Sequence, residues 1–185
     1  TATNNIAVGR NTQAGTTASN NTIVGTTAGS AALGANNTAL GVNTLNSAAV
    51  AVTDLVAIGA NALTDAVTTN GTVAVGSSAL TALTTGATNT AVGSTAGSTI
   101  TTGSSNTLVG HTTESAATAS NNTIVGATAG STALGNNNTS VGTNTLNSAA
   151  AAVTDTVAIG ANALTSALTT GANGTVAVGS SALTA

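Results

Sequence analysis

A branched aliphatic residue followed by glycine marks eleven regularly spaced units along this chain, at Gly9, Gly25, Gly41, Gly59, Gly76, Gly93, Gly110, Gly126, Gly142, Gly160 and Gly179. Successive spacings are 16, 16, 18, 17, 17, 17, 16, 16, 18 and 19 residues. A recurring period of this length describes stacked supersecondary units, each covering the next, rather than one compact core.

The residues around each glycine define the unit. Immediately before it stands Val8, Val24, Leu40, Ile58, Val75, Val92, Val109, Val125, Val141, Ile159 or Val178. Two residues earlier stands Ile6, Thr22, Thr38, Val56, Val73, Thr90, Thr107, Thr123, Thr139, Val157 or Val176, β-branched in every unit. Residues two apart on a strand share a face, so each unit is predicted to hold a short strand with this pair on one side, which hydrophobicity assigns to the interior. Between them lies Ala in seven units and Ile23, Leu108, Ile124 or Ser140 in the others. The opposite face is therefore expected to be small, apolar and covered by something else, since strands buried on both sides read as continuous apolar runs.

Three residues after each glycine comes Ala or Thr, and then Leu in six units, which predicts a second extended segment per coil. Asn5, Asn21, Asn37, Asn89, Asn106, Asn122 and Asn138 precede the glycine by four residues. In stacked coils such amides lie above one another and can bond along a ladder. The glycine itself is expected to make a bend in a conformation that other residues reach only at a cost.

A longer period lies over the short one. Asn5 to Asp65 matches Asn106 to Ser166 at an offset of 101, and "GTVAVGSSALTA" at 71 returns at 174. Residues 1–185 thus read as one β-solenoid array of about eleven coils. A six-coil block from about 5 to 105 is duplicated from about 106 to 185. The array is expected to continue beyond both ends as part of a longer fibre.

Composition closes most routes to chemistry. Charged residues are 3% of the chain, with one basic residue, Arg10, and no Pro, Cys, Met or aromatic residue. One arginine cannot neutralise a phosphate backbone, and no ring is present on which a base could stack, so nucleic acid is not an expected partner. There is no thiolate metal site and no apolar run long enough for a membrane helix. The first residues, "TATNNIAVGR", lack the basic start and apolar stretch of a signal peptide. Disorder is not expected, because Val, Ile, Leu and Ala fall in a regular register.

The singular residues are Arg10 and His111, equivalent in the first and seventh units, together with Gln13 and Glu114, Asp54 and Asp155, and Asp65. Equivalent residues six coils apart are roughly 28 Å from each other at about 4.7 Å per coil, so Asp54 and Asp155 cannot form a catalytic pair. His111 with Glu114 reads as polar variation at a turn. No catalytic, cofactor-binding or metal residue is assigned, and the chain is not expected to be an enzyme. "NG" at Asn70 and Asn173 reads as a tight turn.

The stretches "NTAVGSTAG", "GTVAVGSSALTALTTG" and "NTALGVNTL" resemble repeats of the tail-fibre proteins of bacterial viruses. "VAIGANA" at 56 and 157 looks like the coils in the heads of trimeric autotransporter adhesins. The resemblance spans essentially the whole chain. It implies a left-handed parallel β-roll, a homotrimer, further fibre segments at both ends, and a place in a virion tail fibre or on a bacterial cell surface. Unlike many tail-fibre repeats, this chain has no aromatic residue after the glycine, so a host receptor is expected to be bound by another domain. The function expected is that of a non-enzymatic fibre segment supporting attachment to a host cell, with the head of a trimeric adhesin as the alternative. An ice-binding solenoid is a second alternative, weighed down because the Thr column shares the face assigned to the interior.

Overall fold

The computed structural model describes residues 2–12, 18–29, 33–46, 51–65, 68–114, 116–130, 134–147, 153–165 and 173–184. Among these there is no helix, and eleven three-residue strands follow one another. They are β1 (Ile6–Val8), β2 (Thr22–Val24), β3 (Thr38–Leu40), β4 (Val56–Ile58), β5 (Val73–Val75) and β6 (Thr90–Val92), then β7 (Thr107–Val109), β8 (Thr123–Val125), β9 (Thr139–Val141), β10 (Val157–Ile159) and β11 (Val176–Val178). All lie parallel in one sheet in sequence order. Each repeat position pairs with its own equivalent, as Thr90 with Thr107, Ala91 with Leu108 and Val92 with Val109. The architecture is the expected all-β parallel solenoid with one strand per repeat.

Two expectations are corrected. The first concerns the segment after each glycine, which turns instead of extending. Two residues past the glycine the backbone is left-handed in every coil, at positions such as Asn43, Ser78 and Thr128. Two further on, Leu45, Leu63, Leu80, Leu146, Leu164 and Leu183 are left-handed as well, with φ between 49° and 54°. A left-handed leucine costs about 1–2 kcal/mol. Burying its side chain contributes about 1.5–3 kcal/mol, and the first five are buried, so burial wins in those coils; Leu183, in the last coil described, holds the same conformation while 58% exposed.

The second correction reverses the strand faces. The middle residue of the strand points into the coil: Ala91 is 0% and Leu108 0% exposed, while Val92 is 38% and Val109 36%. The aliphatic column before the glycine and the Thr/Val column two residues earlier therefore form the outer face.

Volume explains the reversal. The middle strand residue and the residue four past the glycine fill the same interior. Where the latter is Leu (Leu45, Leu63, Leu80, Leu164), the former is Ala (Ala39, Ala57, Ala74, Ala158). Where it is Gly29, Glu114 or Gly130, the middle residue is Ile23, Leu108 or Ile124. In coil six both are small, Ala91 and Gly97, and Ile100 fills the gap: a Cβ on Gly97 would stand 3.4 Å from its Cδ1.

Asparagines, buried in all but the first coil, seal the corner before seven of the eleven strands. The Asn21 N–H donates to Asn5 Oδ1 (2.9 Å), the Asn37 N–H to Asn21 Oδ1 (2.8 Å) and the Leu55 N–H to Asn37 Oδ1 (3.0 Å). A second run links Asn89, Asn106, Asn122, Asn138 and Thr156 in the same way. The side-chain amides donate chiefly to corner carbonyls, as Asn106 Nδ2 to Ala119 O (2.9 Å). The ladder is thus side chain to backbone at every step, with amide-to-amide bonds added at Asn106–Asn89 (3.0 Å) and Asn138–Asn122 (3.1 Å).

Shared volume makes a double-mutant cycle informative in coil five. Ala74→Ile alone is expected to overpack the core and cost about 1–3 kcal/mol. Leu80→Gly alone leaves a cavity and also destabilises. The double variant, which gives coil five the pairing of coil eight, is expected to recover at least about 1 kcal/mol relative to additivity in urea melts.

Candidate functional site

The singular residues do not assemble into a site. Arg10 and His111 both follow the strand-ending glycine and are exposed. The His111 ring contacts its neighbour Thr112, Nδ1 to Oγ1 2.9 Å. Half-buried Glu114 is engaged through its backbone, in a parallel bridge to Gly130. No hydrogen bond joins Glu114 to His111 among the described residues. Gln13 lies outside the described residues, as do most of the "NSAA" stretches. Asp65 is exposed, and its N–H donates to Thr81 O (3.2 Å).

Asp54 and Asp155 have a structural role that sequence reading missed. Five residues before each repeat glycine the backbone is left-handed in all eleven coils, at Asn4, Asn20, Asn36, Asp54, Gly71, Thr88, Ser105, Asn121, Asn137, Asp155 and Gly174. Asn and Asp tolerate this conformation better than most residues, and Gly adopts it freely. "NG" accordingly places Gly71 and Gly174 in this corner column, while the Thr53 N–H donates to Asn70 Oδ1 (2.8 Å) and the Thr154 N–H to Asn173 Oδ1 (3.0 Å).

Along the same column Asn4 Nδ2 donates to Asn20 Oδ1 (3.2 Å), Asn20 to Asn36 (3.2 Å) and Asn36 to Asp54 (2.9 Å). The second run is Asn121 to Asn137 (3.3 Å) and Asn137 to Asp155 (2.9 Å). An aspartate ends each run because the next coil offers glycine, which has no side-chain acceptor. A carboxylate only accepts and leaves no donor unmet. The pattern of two or three amides ending on Asp, one repeat apart and one residue ahead of the buried column, was the signal in the sequence.

What remains is the outer sheet face. Its two columns run from Ile6 to Val176 and from Val8 to Val178, without a charged residue in either. On one side it is bordered by the left-handed Asn/Asp corner. On the other stands a second polar corner, in which Asn144 Nδ2 donates to Asn162 Oδ1 (2.9 Å) and Thr95 Oγ1 lies 3.2 Å from Thr112 Oγ1. Among the described residues no group of three or more His, Cys, Asp or Glu could hold a metal ion. No helix among them is long and apolar enough to cross a membrane. No family model matches the chain, and neither does any curated protein or solved structure.

The Asn36 amide, and after it Thr53, hold the Asp54 carboxyl below its ordinary pKa, against a smaller opposing effect of burial. A carboxyl whose folded pKa lies below its unfolded one stabilises the fold above the unfolded value, and loses that stabilisation as pH falls through the folded value. Thermal melts are therefore expected to weaken from about pH 4 downward. Asp54→Asn, which keeps an acceptor but does not titrate, is expected to flatten that part of the profile.

Proposed function

We propose that the chain is a non-enzymatic structural segment of an extracellular fibre, the shaft of a viral tail fibre or of a similar surface appendage that supports attachment to a host cell. The observation that carries this reading is the unbroken in-register stack of the described strands and corners. All eleven strands pair in register, the two left-handed corners repeat in every coil, and the apolar core runs continuously from Ile23 to Ala177 within one chain. Eleven coils at about 4.7 Å make a rod about 50 Å long. Such a rod transmits position and force between whatever stands at its two ends.

The head of a bacterial trimeric adhesin is the alternative, and the same rod serves it. The homotrimer implied by the tail-fibre resemblance belongs to this proposal. The Ala column lies inside the coil, so it is not a small face on which chains could approach. Receptor recognition is assigned to another domain, because the described surface carries no aromatic anchor and only one arginine.

The test is spacing. With a folded reporter domain fused at each end, single-particle images are expected to show the two held at one fixed separation of about 50 Å. A broad distribution of separations, as from a flexible linker, would contradict the rod.

A further inference from the structure

We propose that the outer sheet face binds ice, with the crystal surface itself as its ligand. This goes beyond the rod reading and does not depend on it. The proposal begins with the reversal of the strand faces. The threonines at Thr22, Thr38, Thr90, Thr107, Thr123 and Thr139 stand on the outside, and no hydrogen bond to a described residue engages their hydroxyls. Beside them runs the aliphatic column from Val8 to Val178.

The two columns make a two-dimensional array. Along a strand, neighbours on one face are about 6.6 Å apart, and from coil to coil about 4.7–4.9 Å. The in-register pairing of every repeat position with its equivalent preserves the second spacing through all eleven coils. Ice presents water oxygens in a fixed lattice with repeats of similar size. A rigid face whose methyls repeat in two dimensions, with hydroxyls at six of the eleven positions of one column, can order its hydration water into register with that lattice. Charge would work against this, since an ion demands a hydration shell that a crystal cannot supply, and neither column contains a charged residue.

A second copy of the chain is the rival occupant, and two magnitudes disfavour it. The face is about 50 Å by 10 Å, or about 500 Å², against the roughly 800 Å² per partner of a stable interface. A dry contact between like faces would also strip water from the threonine hydroxyls, at roughly 1–3 kcal/mol for each left unpaired. Against ice the same hydroxyls stay hydrogen-bonded to water.

The experiment is thermal hysteresis on the purified chain, with its solution mass measured by light scattering. The native chain is expected to open a gap between melting and freezing points and to shape ice crystals. Thr107→Lys, in the middle of the face, is expected to lose most of that gap, while Thr118→Lys, at an exposed turn off the face, keeps it. Circular dichroism melts confirm that each variant folds; if Thr107→Lys does not, Thr123→Lys replaces it. A native chain without hysteresis would overturn the proposal, as would a Thr107→Lys variant that retains the full gap. A particle of about 51 kDa, three times the 17.0 kDa chain, that leaves ice unaffected would assign the face to three copies of the chain and overturn it too. The fixed separation of reporter domains is independent of all these outcomes, so the rod stands or falls separately.

Discussion

Every described strand and corner position has to be compatible with its own equivalent stacked one coil away. The glycine that ends each strand shows how strict this is. At Gly93 the backbone holds φ at +137°, where side chains are strained, and a Cβ would stand against the backbone carbonyl of Gly110, the next glycine in the column. The same relation links Gly110 to Gly126. Coils can descend at strand spacing only because this column carries no side chain. The Asn columns meet the same constraint by other means. An amide accepts from one neighbour and donates to another, so it can be repeated without limit, and a carboxylate can only end the run.

Stacking also decides what a coil may contain. With one three-residue strand per turn the interior is narrow, and the space shared by the middle strand residue and the position four past the glycine holds about one large side chain. The exchange between middle strand residue and the position four past the glycine is the local form of that limit. It accounts for the buried left-handed leucines, whose backbone cost is smaller than the burial they gain. It also leaves no interior room for the aliphatic residue before the glycine, which goes to the surface although it is the most regularly apolar position in the repeat.

Much of this was legible in the residues. The period gave the coils, β-branching gave the strand, and the Asn column gave the buried ladder. The orientation of the strand was misread, because hydrophobicity alone ranks Val and Ile above Ala and takes no account of how much space a coil has. The correcting signal was nevertheless present: Ile23, Leu108 and Ile124 appear where Leu is missing six residues later, a compensation that only residues sharing one interior would show. The second extended segment is read from an apolar Ala-Leu or Thr-Leu pair that the structure places on a left-handed turn, a conformation that leucine gives no reason to expect. The functional reading moved with the orientation. A threonine column turned inward is packing, whereas the same column turned outward is a surface.

The absence of cysteine makes the orientation directly measurable. Single substitutions Ala91→Cys and Val92→Cys put a thiol on each side of strand β6, and thiol labelling under native conditions compares their access. The account predicts rapid labelling at position 92, and protection at position 91 until denaturant unfolds the coils. Rapid labelling at 91 with protection at 92 would contradict it and return the aliphatic column to the interior.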